Sequence, residues 1–149
     1  MSGPNIMRGY FKRPAETAAA FDSRGYFRTG DIGRFDTDGH LYITGRLKEM
    51  LIVGGENVFP REIEDVLEQH AEVLMAAVIG VPHELYQEVG HAFVMPHPGR
   101  APAVEELHWH CKQNLVNFKI PKQFEVRPQL PLLPNGKVNK MALKAEIGV

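Results

Sequence analysis

Two short segments of the chain carry residues whose types and order suit the handling of a phosphate-bearing ligand. They contain Asp31, Arg46, Lys48, Gly54, Gly55 and Lys137. The carboxylate of Asp31 can accept hydrogen bonds from two neighbouring ribose hydroxyls, because an ionised carboxylate only accepts. Arg46 offers a planar fork of donors to hydroxyl or phosphate oxygens. Taken singly, each also fits a commoner use, as a turn aspartate that bonds its own backbone or as a surface arginine.

Two glycine-containing turns add to this set. Gly54 and Gly55 are placed between a predicted strand and a predicted helix, where residues without Cβ let the backbone approach a ligand. The Pro134–Lys137 turn presents a lysine, a mobile point charge able to meet a phosphate oxygen and a carboxylate. Neither turn matches a nucleotide fingerprint, since GxGxxG is absent and Val138 stands where a Walker motif needs Ser or Thr. Alone, each turn also fits a plain connection between elements.

Composition narrows the class of protein. The chain has 149 residues, 44% hydrophobic and 23% charged, which is ordinary for a globular protein. A formal net charge of −1 gives no basic footprint, so no nucleic-acid partner is expected. The seven histidines lack metal-ligand spacing, and no metal site is expected. We expect a soluble cytoplasmic protein on three grounds. Cys111 is the one cysteine, no apolar run is long enough to span a membrane, and the N-terminus lacks a signal-peptide layout.

Hydrophobic periodicity and turn residues predict an irregular mixture of strands and helices, and therefore an α+β fold. The predicted strands are Ile32–Asp36, His40–Thr44, Met50–Val53, Val73–Val81, Val89–Met95 and Phe124–Val126, the first two forming a hairpin. The predicted helices are one opening at Pro60, Val104–Val116, and Lys140–Ile147 capped by Asn139. The acidic residues Glu62, Glu64, Asp65 and Glu68 are interpreted as mostly a solvated helix face, and Trp109 as a core or interface residue.

A domain boundary is predicted near Arg46–Lys48. Residues 1–47 contain a hairpin with little helix to cover it. Residues 48–149 make a plausible complete α+β unit of about 100 residues, close to the usual size of a domain. We therefore expect two parts, 1–47 and 48–149.

The order of the motifs is more specific than any one of them. Three segments look like successive motifs of one enzyme family: YFRTGD, GRLKEMLIVGGENVFPREIE, and FKIPK with LPLLPNGKVNKMAL. Met7–Phe21 looks like the segment that precedes these motifs in that family. Over essentially its whole length, the chain resembles the C-terminal part of the adenylate-forming enzymes, specifically the acyl-CoA synthetases of fatty and aryl acids. The resemblance implies a small mixed-sheet lid domain with flanking helices, residues 48–149, after a β-barrel remnant of the large AMP-binding domain, residues 1–47.

The resemblance also implies a role for each candidate residue. Asp31 and Arg46 match the pair that holds the ribose hydroxyls of ATP and of the acyl-adenylate. Lys48 matches the hinge between the large and small domains. Lys137 matches the catalytic lysine that bridges the substrate carboxylate and the α-phosphate. The Gly54-Gly55 pair matches the loop that lines the CoA pantetheine tunnel after the lid rotates.

The implied activity is ATP-dependent ligation of a carboxylic acid to CoA, by adenylation and then thioester formation. ATP/AMP, CoA and Mg²⁺ are implied for the complete enzyme, and none is firmly expected for this chain alone. The family's triphosphate loop, metal-holding Glu and acyl pocket belong to an N-terminal AMP-binding domain, expected as a partner in cis or in trans. We expect a fragment that is inactive alone. Two alternatives stay open: a non-catalytic binding or regulatory module that keeps the lid fold, and a subunit that completes a separate N-terminal chain.

The chain departs from the family's pattern in three places. Gln87-Glu88 stands where Gly-Glu is frequent, Phe118 where Tyr is frequent, and Leu133 where Thr is frequent. The first change removes a turn glycine, so it bears on the geometry of that loop and not on the chemistry.

Overall fold

A computed structural model describes all 149 residues, and the chain divides into two compact units, Met1–Ile43 and Thr44–Val149. The predicted boundary between parts 1–47 and 48–149 stays a prediction. None of the helices combines the length and the apolar character needed to span a membrane.

The first unit contains one short helix and most of a hairpin. Its elements are α1 (Pro14–Ala19), β1 (Asp31–Phe35) and the start of β2 (Leu41–Arg46), which pairs with β1. The connecting turn is closed by Asp36, whose Oδ1 accepts hydrogen bonds from the backbone N–H groups of Asp38 and His40. The predicted hairpin is confirmed by the pairing of β1 with β2. The Asp36 side chain accepts hydrogen bonds from backbone N–H groups of the turn that have no strand partner.

The second unit is built on a five-stranded mixed sheet flanked by helices. Its strands are β3 (Leu51–Val53), β4 (Glu56–Val58), β5 (Val73–His83), β6 (Gln87–Pro96) and β7 (Gln123–Val126). Its helices are α2 (Pro60–Glu68), α3 (Val104–Asn114) and α4 (Lys140–Ile147). The strand order is β4-β3-β6-β5, and β7 pairs in parallel with β6 while the other pairings are antiparallel. The predicted α+β class and mixed sheet are confirmed.

The β5–β6 ladder is the centre of this unit, and both of its faces are covered. Val78 on one face belongs to the cluster that includes residues of α2 and α3, whereas Ile79 on the other face packs with Leu143 of α4. Burial on both faces explains the continuous apolar sequence of β5, which a half-solvated strand would not have. Both strands are longer than predicted, because residues expected in a loop from 82 to 88 continue the ladder and leave only Glu84–Tyr86 as the connection.

The helices begin and pack largely as their sequences predict. Pro60 occupies the first turn of α2, and Ile63, Val66 and Leu67 are buried. The carbonyl oxygen of the Asn139 side chain accepts a hydrogen bond from the N–H of Ala142, which confirms the predicted cap of α4. In α3, Leu107 and Cys111 are buried, but Val104 and Trp109 are exposed. Trp109 therefore lies outside the core of this unit, and its assignment to an interface stays a prediction.

The interpretation of the α2 carboxylates as a solvated face is wrong for two of them. Glu64 is buried and accepts a hydrogen bond from the backbone N–H of Val78 at 2.8 Å, and Glu68 accepts one from Ala76 at 3.2 Å. β5 pairs only with β6, so its outer edge presents alternate N–H groups without a strand partner. Two carboxylates one helical turn apart match two donors that are two residues apart on a strand, because both spacings are about 6 Å.

This arrangement predicts unequal effects for two neighbouring carboxylates of α2. Glu64→Ala removes a charged acceptor from a buried N–H group, so we expect a loss of about 2–3 kcal/mol of unfolding free energy. Asp65→Ala removes an exposed carboxylate paired with Arg61 and should cost about 0.5 kcal/mol or less. Urea denaturation of both variants is the measurement. Equal transition midpoints would show that the Val78 contact contributes nothing.

Candidate functional site

Lys137 lies at the end of a tight, exposed turn. The N–H of Leu133 donates to the carbonyl oxygen of Lys137 at 2.7 Å, and the N–H of Gly136 donates to Leu133 at 2.9 Å. The side-chain oxygen of Asn135 accepts from the backbone N–H of Lys137 at 3.2 Å. The exposed ammonium of Lys137 makes no ion pair or hydrogen bond in the structure. The turn therefore fixes the backbone and leaves the charge available to a ligand.

The base of this turn is attached to the rest of the second unit by the residues that follow. The N–H of Asn139 donates to the carbonyl oxygen of Pro131 at 2.7 Å, and a single β-bridge joins Leu132 to Val138. Lys140, the first residue of α4, reaches the carboxylates of Glu49 and Glu64. Sequence reasoning did not anticipate this group of three, because the residues are separated along the chain and share no motif.

Gly54 and Gly55 form the turn of a β-hairpin, not a strand-to-helix turn as predicted. The error arose because the three-residue strand β4 lies between the glycines and α2. Their φ angles are +59° and +90°, and two successive left-handed residues give the hairpin turn that glycine favours. The N–H of Gly54 donates to the carbonyl oxygen of Tyr86 at 2.9 Å, so the loop between β5 and β6 supports this turn.

The space around the two glycines differs. A Cβ added at Gly54 would lie 3.4 Å from Cδ1 of Tyr86, whereas one added at Gly55 would meet nothing within 4 Å. Gly55 thus presents bare backbone to open space. A turn of this shape can let a narrow chain pass close to the backbone.

Gln87, where glycine is frequent in the family, has a backbone conformation that suits glycine. Gln87 has a φ of +65°, the left-handed conformation that a glycine adopts at little cost. The ladder partners on either side, His83 with Gln87 and Val53 with Gln87, continue through this position. The next residue, Glu88, accepts a hydrogen bond from the N–H of Ile52 through Oε2 at 3.0 Å, which joins β6 to β3.

Lys48 lies in a single turn of 3-10 helix, Leu47–Glu49, and its side chain is exposed. The flanking residues Arg46 and Met50 are both extended, with ψ of 137° and 131°. A short 3-10 turn between extended residues holds few backbone hydrogen bonds, so its dihedral angles can change without breaking a ladder.

Asp31 and Arg46 belong to different units. Asp31 begins β1 and is half-buried, and its N–H donates to the hydroxyl oxygen of Thr29 at 3.0 Å. Arg46 ends β2 and is exposed. Arg46, Lys48, the glycine pair and Lys137 all lie in the second unit. The glycine turn and the Lys137 turn have separate anchors, because Gly54 bonds Tyr86 and Asn139 bonds Pro131.

Two other groupings are explained by their internal contacts. Asp36, Asp38 and His40 place ligand-type atoms within 4.8 Å of one another. The Asp36 carboxylate closes the β1–β2 turn through the N–H groups of Asp38 and His40 and also contacts the His40 ring. The backbone hydrogen bond from His40 is the main reason why the pKa of Asp36 is lowered.

A surface cavity of about 450 Å³ is lined by His70, Glu72, Glu106, Trp109, His110 and Gln113. The ring of His110 bonds the carbonyl oxygen of Val66, and Glu106 accepts from Ala103, so these groups already have partners.

Known proteins are similar to this chain in both sequence and fold. It is 44% identical over 144 residues to the sulfoacetate–CoA ligase of Cupriavidus necator, covering 96% of this chain and 28% of that one. The o-succinylbenzoate CoA synthetase of Bacillus subtilis, solved with its acyl-adenylate intermediate OSB-AMP, superposes with a TM-score of 0.87 at 37% identity, over 95% of this chain and 29% of that one. The amide bond synthetase McbA of Marinactinospora thermotolerans also gives 0.87, at 37% identity, over 94% and 29%.

Coverage is unequal in all these comparisons, because the chain spans between 25% and 30% of the length of the curated relatives it matches. The matching family model, described as the C-terminal domain of AMP-binding enzymes, aligns with residues 62–137 and therefore includes most of α2, the β5–β6 ladder, α3 and the Lys137 turn. The chain belongs to the family of AMP-binding enzyme C-terminal domains and corresponds to that part of the acyl-CoA ligases.

Proposed function

We propose that this chain is the C-terminal catalytic part of an AMP-forming acid–CoA ligase, with the unpaired ammonium of Lys137 as its central group. The observation that carries the proposal is the exposed, backbone-anchored turn that presents this ammonium within the segment matched by the family. The chain covers only 28% of a relative such as the sulfoacetate–CoA ligase. The proposal therefore needs an N-terminal AMP-binding domain, supplied in cis or in trans. We expect no acyl-CoA formation by residues 1–149 without it.

In the proposed first half-reaction, a carboxylate oxygen attacks the α-phosphorus of ATP, an acyl–O–P bond forms, and the bond to pyrophosphate breaks. Two anionic groups must approach each other, and negative charge develops on the phosphoryl oxygens. The Lys137 ammonium would lie against both groups and offset their repulsion. Its turn is fixed by backbone hydrogen bonds, so little reorganisation is needed when the charge develops.

Asp31 and Arg46 are proposed to hold the ribose of ATP and of the acyl-adenylate. A carboxylate accepts from both ribose hydroxyls, and a guanidinium donates to hydroxyl or phosphate oxygens. Both residues are at strand ends, Asp31 at the first residue of β1 and Arg46 at the last of β2, where rigid elements can position their side chains. Mg²⁺ would accompany the triphosphate, and we assign it no ligand from this chain.

In the proposed second half-reaction, the CoA thiolate attacks the acyl carbonyl carbon, a C–S bond forms, the C–O bond breaks and AMP leaves. Gly54 and Gly55 would let the pantetheine arm pass, which agrees with the open space beside Gly55. Lys48 is the proposed hinge. Its single 3-10 turn can change conformation at a low cost in free energy, so that the glycine turn replaces the Lys137 turn at the substrate between the half-reactions. CoA as the acceptor belongs to the proposal, since one structural neighbour is named as an amide bond synthetase.

The role of Lys137 is tested in a fused enzyme, made by placing this chain in the segment of the sulfoacetate–CoA ligase that it matches. Lys137→Ala should slow adenylation of sulfoacetate about a hundred- to a thousandfold, because one preorganised donor to the developing charge is lost. Thioester formation from preformed acyl-adenylate should change little, since an interaction absent from a transition state cannot lower its barrier. ATP–pyrophosphate exchange and thioester release measure the two steps.

Lys112→Ala is the matched control, because Lys112 is an exposed lysine of α3. It should leave both steps unchanged. Equal slowing of both half-reactions by Lys137→Ala would contradict the proposed division of labour.

The glycine turn predicts the reverse pattern. Gly55→Leu should reduce thioester formation by as much as about a hundredfold while sparing adenylation, because the added side chain fills the space needed to align the thiol. Gly99→Leu is a control for backbone strain, since Gly99 has a φ of +77° and open space around its Cβ position, much like Gly55. If Gly99→Leu reduced thioester formation as strongly as Gly55→Leu, the effect would arise from strain and not from the CoA path.

A further inference from the structure

The Lys137 turn is attached to the second unit only through its ends. Residues 132–137 are exposed, and the hydrogen bonds within the turn join it to itself. On its N-terminal side Leu130 is buried, and on its C-terminal side Leu143 of α4 is buried. The position of the turn therefore depends on how firmly the start of α4 is held to the sheet and to α2.

Lys140 is the charged contact at that point. Its ammonium lies 2.7 Å from Oε1 of Glu64 and 2.8 Å from Oε2 of Glu49, and its side chain is only 23% exposed. Glu64 is itself buried and fixed by the N–H of Val78. Buried charges are stable only when paired and hydrogen-bonded. Lys140 is thus held in one position by a carboxylate that is part of the central packing.

The second carboxylate connects this point to the 3-10 turn that contains Lys48. Glu49 is the last residue of that turn, and Lys140 is three residues after Lys137. One ammonium therefore links three elements: the 3-10 turn, α2 and the start of α4. The Lys140–Glu49 ion pair joins the 3-10 turn to the start of α4, so a movement at Lys48 that displaces Glu49 acts on the base of the Lys137 turn.

From this geometry we infer that Lys140 is a positioning residue. It fixes the Lys137 turn relative to the 3-10 turn, so that motion at the hinge brings the Lys137 ammonium to its correct position against the substrate. The inference rests on the proposed function. Lys140 would touch neither ATP nor the acid, and its effect would be confined to the half-reaction that uses Lys137. The glycine turn is anchored through Tyr86 and does not depend on Lys140.

The first test uses the chain alone and does not depend on any activity. Amide hydrogen exchange is compared among the wild type, Lys140→Met and Lys144→Met, the last a lysine one turn later in α4. Lys140→Met should speed exchange at Gly136 and Asn139 roughly tenfold or more, with Ala92 in the central ladder unchanged, because only a local anchor is lost. Unchanged exchange at Gly136 and Asn139, or equal acceleration at Ala92, would overturn the inference.

The second test uses the fused enzyme. Lys140→Met should lower kcat for adenylation roughly tenfold while KM for ATP stays within about twofold, because a misplaced catalytic group affects the transition state more than ground-state binding. Thioester formation should be retained, and Lys140→Arg should restore adenylation because a guanidinium can also span two carboxylates. Equal loss of both half-reactions, or no rescue by arginine, would overturn the inference.

The tests distinguish a failure of the proposed function from a failure of the positioning role of Lys140. Normal adenylation by Lys137→Ala would contradict the proposed function, while the exchange test would still decide whether Lys140 holds the turn. A Lys137-dependent enzyme that is insensitive to Lys140→Met would retain the proposed function and overturn the role of Lys140.

Discussion

The buried carboxylate of Glu64 is the contact on which the second unit most depends. It accepts from the N–H of Val78 on the outer edge of β5 and pairs with the ammonium of Lys140 on α4. Together with Glu68 one turn later, it fixes α2 along the edge of the sheet. An edge strand with unpaired donors invites association with another chain, and these carboxylates remove that possibility at two positions. The same group thus protects the edge, places a helix and fixes the base of the Lys137 turn.

The two turns of proposed chemical importance have independent supports on one framework. The glycine turn is joined to the β5–β6 connection by the hydrogen bond from Gly54 to Tyr86. The Lys137 turn is joined through Asn139, Lys140 and the buried Leu143. Separate supports suit a domain in which each turn would serve one half-reaction, because a change in one support need not disturb the other.

The sequence was sufficient for features that depend on local chemistry. The apolar runs of β5 and β6, the start of α2 at Pro60 and the cap at Asn139 follow from burial, a fixed φ and a side-chain acceptor, each visible within a few residues. Features set by distant partners were not visible. Glu64 looks like any other acidic helix residue until the edge of β5 is placed beside it, and Lys140 looks like an ordinary first-turn lysine.

The remaining errors have similar physical causes. The three residues of β4 are too few to show a strand periodicity, so the glycine turn looked like an entry to α2. Gln87, where glycine is frequent in the family, has a left-handed conformation that its own propensity disfavours, and it is paired in the ladder on both sides. Trp109 was assigned to a core or an interface by residue type, and it is not in the core because Leu107 and Cys111 form the buried face of α3. The candidate site residues themselves were selected by resemblance, and their roles remain proposals.

The central claim is that adenylation requires an ammonium at position 137 of this chain. It is tested most directly by restoring that charge chemically in the fused enzyme, with Lys137→Cys alkylated by 2-bromoethylamine to give a lysine analogue. The one natural cysteine of the chain, Cys111, is fully buried and burial raises its pKa to about 11, so it should not react. With a donor portion free of exposed cysteines, the account predicts that ATP–pyrophosphate exchange is lost in the cysteine variant and recovered on alkylation. A fully alkylated, folded enzyme that stayed at the level of the cysteine variant, or a cysteine variant as active as the wild type, would contradict it.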